Sequence, residues 1–297
     1  MTLEQLRTFC AVVEQQSFSR AAEALFLTQP TVSQQVQALE RDFGVRLFDR
    51  IGRRVFLTRQ GEIMYKYAGW ILAALDEARR LINDSTGLPH GQLRLGASLL
   101  VGTHVLPPVL GRMKSQYPEL EVTLEMGFAW QMIERVKANK LDLALVGSAG
   151  HFRDDPSLDK FPFMKDRLAL IVPPEHHWSH RDTVGVQELV GQPFILSEKG
   201  SNTRTMVEES LRQAGVNLVI SMEFGNIEAI KRAVEEGLGL SILSEVAVVK
   251  EVRAGWLRTL RLADVSLERD LVAVWLKERK LSPAASALLE IIGRARW

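Results

Sequence analysis

Side chains that can recognise base edges occupy one side of residues 28–44, TQPTVSQQVQALERDFG. At 100° per residue, the apolar side chains share one face of a helix and must meet a core; they are Val32, Val36, Leu39 and Phe43. The opposite face carries mainly amides and hydroxyls: Pro30, Thr31, Ser33, Gln34 and Gln37, with Arg41 further along. Its first two turns hold no carboxylate, which phosphates would repel, and Gln suits a bidentate contact with adenine. The pattern therefore predicts a face that contacts DNA.

Two shorter helices precede this one and position it. Apolar residues recur near every 3.6 positions from Leu3 to Val13, and Ser17 or Ser19 can cap a second helix that carries the small pair Ala21 and Ala22. Thr28 can cap the third helix, Pro30 falls in its first turn, and Gly44 ends it. This layout predicts a helix–turn–helix with the third helix aimed at a major groove. The alternative is a solvated three-helix domain without a partner.

An arginine-rich stretch follows directly. Residues 50–59 contain four Arg and no acid, and two short strand-like runs flank the tip formed by Gly52, Arg53 and Arg54. We expect a hairpin wing, because guanidinium groups suit phosphates and narrow minor grooves. Arg50 belongs to the same basic surface.

A long helix is predicted from Arg59 to about Ser85. Its apolar residues are spaced 3,4,3,4,3: Met64, Tyr67, Ile71, Ala74, Ala78 and Leu81. That is a heptad seam, which favours a partner helix; the alternative is packing on the helix's own domain. Residues 84–91, DSTGLPHG, indicate a linker. After Gly91, short apolar runs alternate with amphipathic helices, which predicts a largely parallel sheet covered on both faces, in two lobes.

Net charge and cysteine content narrow the expected partners and the expected cellular compartment of the protein. The formal net charge of the 297 residues is +1, so any basic signal is local. Cys10 is the single cysteine, which excludes an internal disulfide and favours a reducing, cytoplasmic setting. We expect no signal peptide and no membrane span.

The segment LRTFCAVVEQQSFSRAAEALFLTQPTVSQQVQALERDFGVRLFDRIGRRVFLTRQGE resembles the winged helix–turn–helix of LysR-type transcriptional regulators. The resemblance implies a mixed fold: an all-α winged helix–turn–helix domain (1–58), a dimerising linker helix and hinge (59–90), and an α/β two-lobed effector-binding domain like periplasmic binding proteins (91–297). The first lobe would comprise about 91–165 and 266–297, and the second about 166–265.

The resemblance also implies roles for individual residues and partners. Gln29, Pro30, Ser33 and Gln34 match base-contacting positions, Thr31 and Arg50 match backbone contacts, and Arg53 matches the wing residue of the minor groove. The expected partners are promoter DNA, a second copy bound through the linker helix, a homotetramer and RNA polymerase. Family members are mostly activators that respond to a small co-inducer and have no cofactor.

Ligands of open α/β sheets collect beyond strand ends and at helix N-termini, and four corners qualify here. They contribute Ser98 and Thr103; Gly147 and Ser148; Gly200, Ser201, Asn202, Thr203 and Arg204; and Asn226. The third corner, with Lys199 nearby, suits an anion, although ordinary N-capping would also explain its hydroxyls. FGNIEAIKRAVEEGLGLSIL looks like regulators of sulfur metabolism or carbon fixation. Leu100 stands where sulfur-assimilation regulators carry a hydroxyl residue, which argues against a direct transfer of their ligand to this chain. We expect a small inorganic or organic anion.

Two other functional classes compete with a regulator. A solute-binding protein would explain the later 200 or so residues and leave the first 60 without a role. An enzyme would need a catalytic group or cofactor site, and no nucleotide-binding or nucleophile motif is present. His176, His177 and His180 lie in a predicted loop and do not by themselves make a metal site. We therefore expect neither enzyme activity nor a metal.

Overall fold

The computed structural model describes residues 1–51, 54–83, 91–148 and 155–295. It divides into two compact units, residues 1–86 with 138–140 and residues 87–137 with 141–297. In the part of the chain described, no helix is long and apolar enough to cross a bilayer.

The first unit begins with three helices, α1 (Leu3–Gln15), α2 (Phe18–Ala24) and α3 (Gln29–Phe43). The predicted caps are confirmed: the Thr28 hydroxyl accepts from the Thr31 N–H, and Gly44 ends α3 with φ +65°. Val32, Val36 and Leu39 are buried as expected. Phe43 was expected in the core but is 48% exposed; it is the last residue of α3 and is not among the side chains packed in the core of the first unit.

The predicted hairpin is formed by β1 (Phe48–Ile51) and β2 (Arg54–Leu57), which pair antiparallel. The Glu40 carboxylate on α3 accepts from the backbone N–H groups of Leu47 (2.7 Å) and Phe48 (3.3 Å). One side chain of α3 thereby fixes where the hairpin starts.

Helix α4 spans Arg59–Asn83. One side of it packs on the core of the first unit, where Ala68 is buried and Met64, Tyr65 and Leu72 are partly buried. The seam residues Tyr67, Ile71, Ala74 and Ala78 are exposed. The side chain of Leu81 and linker residues 84–90 lie outside the described residues.

The described residues of the second unit form ten strands: β3 (Gln92–Ser98), β4 (Glu121–Gly127), β5 (Leu143–Gly147), β6 (Leu158–Val172), β7 (Thr183–Val184), β8 (Pro193–Ser197), β9 (Val219–Phe224), β10 (Ser241–Ser244), β11 (Arg258–Leu262) and β12 (Glu268–Leu276). Its α-helices are α5 (Leu106–Gln116), α6 (Ala129–Lys137), α7 (Asn202–Gln213), α8 (Ile227–Glu235), α9 (Glu245–Ala254) and α10 (Pro283–Gly293). A π-helical turn, Val101–Val105, precedes α5, and a 3-10 turn spans Val186–Leu189.

Strand β6 joins two lobes. Its first part pairs with β12 in the order β4-β3-β5-β12-β6, and its last part, residues 168–172, pairs with β10 and β11. The second lobe also contains the parallel pair β8-β9. Both β6 and β12 carry the chain from one lobe into the other, and they run antiparallel. The sheet is therefore mixed at its centre rather than largely parallel, since a chain that leaves and re-enters a lobe must cross in opposite directions.

Candidate DNA-binding face and effector cavity

Four of the predicted DNA-binding residues of α3 project into solvent. Gln29, Pro30, Gln34 and Gln37 are exposed, while Thr31 and Ser33 are partly buried. The Gln29 amide donates to the Ser33 hydroxyl at 2.9 Å, and the hydroxyls of Thr28 and Thr31 are 2.8 Å apart. The first turn of α3 contains no acidic residue. Its N-terminus therefore presents amides, hydroxyls and a positive dipole end, which together suit a DNA backbone and base edges.

The wing arginines cannot be placed in the same detail. Arg53 and the side chains of Arg50 and Arg54 lie outside the described residues, so their contacts stay sequence predictions.

A cavity of about 60 Å³ opens in the second unit at the ends of several strands. Six of the ten predicted effector residues line it: Ser98, Gly147, Ser201, Asn202, Thr203 and Asn226. They come from β3, β5, α7 and the turn before α8. The structure thus brings the four predicted corners to one place.

Four helices begin at this cavity. Phe128 and Ala129 open α6, Ser201 precedes α7, Asn226 precedes α8, and Ser244 precedes α9; all five line the cavity. Each N-terminus carries a partial positive charge from the aligned backbone dipoles of its helix. The convergence of four such ends makes the cavity favourable for a negative ligand.

The hydroxyls of the third corner are not used as ordinary caps. Ser201 occupies the N-cap position of α7, but its side chain makes no capping hydrogen bond. Thr203 instead accepts a hydrogen bond from Arg269 Nη2 at 3.1 Å. By contrast, Asn226 does cap α8, because its Oδ1 accepts from the Glu228 N–H at 2.7 Å.

The other four predicted residues are not among those that line the cavity. Thr103 is exposed within the π-helical turn. Ser148 extends the pairing of β5 with β12 by bonding to the backbone of Asp270. Gly200, with φ +97°, lies beside Phe128 and Trp130.

Arg204 was expected to offer its charge to a ligand, but its guanidinium is buried in protein contacts. It is 3.0 Å from Glu208, Glu223 and the Ser197 carbonyl. Burial lowers the pKa of Arg204, yet the hydrogen bonds to both carboxylates outweigh burial and raise that pKa above its ordinary value. Arg204 therefore holds α7 against β8 and β9.

The main residue that sequence reasoning missed is Arg269. It is 8% exposed, lines the cavity, and donates from Nε to Asp166 at 2.8 Å. No local motif marks it, since it lies on β12, 66 positions from Thr203. Other lining residues outside the predicted set include Glu198, Ser197 and Ser244.

The histidine-rich loop is held by local contacts. The rings of His176 and His177 lie 4.3 Å apart, and His176 Nδ1 accepts from the Trp178 N–H at 3.2 Å. Burial, followed by the neighbouring His177, lowers the pKa of His176. Across the described ranges, no three His, Cys, Asp or Glu side chains are grouped to hold a metal ion.

Two family profiles match the chain. Residues 3–62 match the "Bacterial regulatory helix-turn-helix protein, lysR family", and residues 86–297 match the "LysR substrate binding domain". The chain is 35% identical over 287 residues to a "Probable RuBisCO transcriptional regulator" of Cyanidioschyzon merolae, which covers 96% of this chain and 95% of the relative. It is also 35% identical over 291 residues to the "HTH-type transcriptional activator CmpR" of Synechocystis sp., covering 98% and 94%.

Solved structures share the fold. A full-length OxyR variant from Pseudomonas aeruginosa superposes with a TM-score of 0.77 at 23% identity, covering 98% of this chain and 94% of that one. The regulatory domain of CcmR from Synechocystis, "in complex with 2-PG", has a TM-score of 0.64 at 27% identity and covers 69% and 96%. The winged helix–turn–helix, the two-lobed domain and these relatives agree, and the chain belongs to the LysR family of DNA-binding transcriptional regulators with an effector-binding domain.

Proposed function

We propose that this regulator activates transcription when a small anion binds the cavity between its lobes. The observation that carries the proposal is the convergence of four helix N-termini on one small cavity. Aligned backbone dipoles favour negative charge there. The cavity volume of about 60 Å³ agrees with a small ligand.

The relatives support this class of effector. CcmR is a solved relative whose regulatory domain was obtained with 2-PG, and CmpR is named as an activator. Several relatives are named as RuBisCO regulators, which agrees with the expected likeness to regulators of carbon fixation. We infer a regulatory role rather than an enzymatic one, since the relatives are named as regulators.

The DNA contacts proposed for the first unit divide between bases and backbone. Gln29, Pro30, Ser33, Gln34 and Gln37 would read base edges in a major groove. Thr31 and Arg50 would contact phosphates, while Arg53 and Arg54 would reach the adjacent minor groove from the wing. Promoter DNA is the partner, and the cytoplasm is the location that such a partner implies.

The exposed apolar side of the first unit supports assembly into a dimer. Tyr67 and Ile71 of the heptad seam line a groove of about 410 Å³ together with Phe43, Val45 and Ile63. These side chains are between 36% and 54% exposed, which is unusual for a contiguous apolar group on a monomer. We propose that α4 pairs with α4 of a second copy, and that dimers pair further into a tetramer with four DNA-binding units.

In this scheme the domains are 1–58 for DNA binding, 59–90 for dimerisation and the hinge, and 91–297 for the effector. The ligand would bind one arrangement of the lobes better than another and so shift the arrangement of the dimers on DNA. This change in the arrangement of the dimers would alter the DNA bend and the contact with RNA polymerase.

The test is a thermal-shift screen of the full chain with 2-phosphoglycolate, 2-phosphoglycerate, glycolate, phosphate, sulfate and sulfite. A ligand that binds the native state raises the apparent unfolding temperature by mass action. We expect one organic anion to raise it, and Ser201→Ala to abolish the shift. Ser115→Ala is the matched control, because its hydroxyl donates to the Gly111 carbonyl on the exposed side of α5. Absence of a shift with every anion would reject this effector class.

A further inference from the structure

The strands that connect the two lobes are held by successive cross-strand ion pairs. Arg269 of β12 lies directly opposite Asp166 of β6 in the antiparallel register. The neighbouring registers hold Lys165 with Asp270 and Arg167 with Glu268, each at 2.7 Å. Those two pairs are exposed, whereas the Asp166 and Arg269 side chains are 0% and 5% exposed. Only the middle pair is therefore strongly shielded from solvent.

The buried pair is bonded in a way that leaves one side of the guanidinium turned to the cavity. Arginine commonly binds a carboxylate through two parallel N–H groups. Here one Asp166 oxygen accepts from Nε, and the other oxygen accepts from the Ser244 hydroxyl. The Nη2 group points instead to Thr203 Oγ1 at 3.1 Å, and both Arg269 and Thr203 line the cavity.

The Asp166–Arg269 pair also contacts both of the parts that a ligand bound between the lobes would bring together, namely the connecting strands and the second lobe. Asp166 and Arg269 lie on the two strands that pass between lobes, Ser244 lies before α9, and Thr203 is in the first turn of α7. A group bound to Arg269 Nη atoms beside Thr203 would therefore contact both the connecting strands and the second lobe.

We propose that Arg269 binds the charged group of the effector, a carboxylate or phosphate, and that Asp166 is a positioning residue that also limits the affinity. This inference rests on the anionic effector of the proposed function and names its recognition residue. Asp166 orients the guanidinium through Nε, while its negative charge opposes the incoming anion across a buried, weakly screened distance. Asp166 thus neutralises the charge of Arg269 within the cavity. A bound anion competes with the Asp166 carboxylate for the guanidinium.

The proposal predicts opposite effects for the two partners. In Arg269→Gln the charge is lost, and we expect the dissociation constant of 2-phosphoglycolate to rise by at least about tenfold. Arg269→Lys keeps a charge but loses the planar fork, and we expect a smaller loss. In Asp166→Asn the carbonyl oxygen still accepts from Nε but the opposing charge is gone, so we expect tighter binding. A purely structural role for Asp166 would not produce tighter binding.

The experiment is isothermal titration of the full chain with 2-phosphoglycolate, using Arg167→Gln as the matched control. That control removes an arginine from the adjacent, exposed register, and its affinity should stay within about twofold of wild type. Inorganic sulfate is titrated in parallel as a probe for charge alone. If Arg269→Gln does not fold, Arg269→Lys and Asp166→Asn decide the question.

The outcomes separate the two proposals. Wild-type binding that is weakened in the Arg269 variants and strengthened in Asp166→Asn supports the inference. Wild-type binding with unchanged affinity in the Arg269 variants overturns this inference and leaves the anionic effector standing. Weaker binding in a folded Asp166→Asn overturns the limiting role of Asp166. No wild-type binding of either probe overturns this inference, and the anionic effector itself is rejected only if every anion of the thermal-shift screen also fails.

Discussion

The guanidinium of Arg269 lies directly against the backbone of Gly147. A β-carbon at position 147 would be 3.0 Å from Arg269 Nε and 3.1 Å from its Cδ and Cζ. These separations are tighter than ordinary van der Waals contact, so a side chain at position 147 would push the guanidinium away from Asp166 and Thr203. Gly147 lines the cavity, and its missing side chain leaves room for the Arg269 guanidinium.

Gly147→Ala should therefore weaken effector binding without removing any polar group from the cavity. The displaced guanidinium would lose its 2.8 Å bond to Asp166 or its 3.1 Å bond to Thr203. We expect an increase in the dissociation constant of several-fold and a small loss of stability, about 1–3 kcal/mol. Gly111→Ala is the control, since a β-carbon there meets nothing within 4 Å. Unchanged affinity in Gly147→Ala would show that the guanidinium shifts without consequence.

A second glycine holds α4 against the root of the wing. A β-carbon at Gly61 would lie 2.1 Å from the carbonyl oxygen of Leu47 and 2.8 Å from Leu57 Cδ2. Because the first of these atoms is backbone, either α4 or the hairpin must move. We expect Gly61→Ala to destabilise the first unit by at least about 1–3 kcal/mol and to weaken DNA binding. Denaturant unfolding and DNA titration measure the two effects, while the anion-induced thermal shift of the second unit should persist.

Gln34→Ala tests the base-reading role of α3. A bidentate contact with a base is worth about 1–3 kcal/mol, and its loss should relax sequence preference while leaving the salt dependence of binding unchanged. Fluorescence anisotropy with specific and scrambled promoter fragments, at several salt concentrations, measures both quantities. Gln213→Ala, an exposed glutamine at the end of α7, is the control. Equal loss on both fragments would assign Gln34 to backbone contact instead.

Ile71→Glu tests the proposed pairing of α4. Ile71 is 40% exposed on the apolar side of the helix, and a carboxylate there would be buried in a paired seam. We expect sedimentation to shift toward smaller species at micromolar concentration. Glu62→Gln, on an exposed position of the first turn, should leave the assembly unchanged. An unchanged distribution for Ile71→Glu would move the dimer interface elsewhere.

The buried carboxylate of Asp142 makes stability depend on pH. It accepts from the Arg94 N–H at 2.8 Å, from Arg94 Nη2 at 3.0 Å and from Arg279 Nη2 at 2.8 Å. Burial raises the pKa of Asp142, but the hydrogen bonds from Arg94 and the charges of both arginines outweigh burial, so the pKa lies below its ordinary value.

A lowered folded pKa stabilises the protein above the unfolded value of about 3.9, and that stabilisation is lost as pH falls through the folded pKa. Asp142→Asn should therefore cost about 1–3 kcal/mol at pH 7, and the difference from wild type should shrink below about pH 4. Urea unfolding across pH 3–7 measures it. A difference that does not vary with pH would indicate a steric rather than an ionic cause.

Local chemistry explains the sequence predictions that hold. Thr28, Pro30 and Gly44 mark the ends of α3 because capping and left-handed backbone depend on a few adjacent residues. Phe43 shows the limit of the same reasoning. Its helical phase matches that of the buried residues, but its exposure depends on how far other elements cover the last turn, and the side chain is left 48% exposed.

The amino-acid sequence by itself determined the helix–turn–helix, the heptad seam and the corners at which helices begin, since these follow from periodicity, caps and turn residues. Only the tertiary structure decided that Arg204 is held by Glu208 and Glu223 while Arg269 faces the cavity. Both are arginines near polar neighbours in sequence. Which one lines the cavity depends on strand pairing between positions about a hundred residues apart, and no local pattern encodes that pairing.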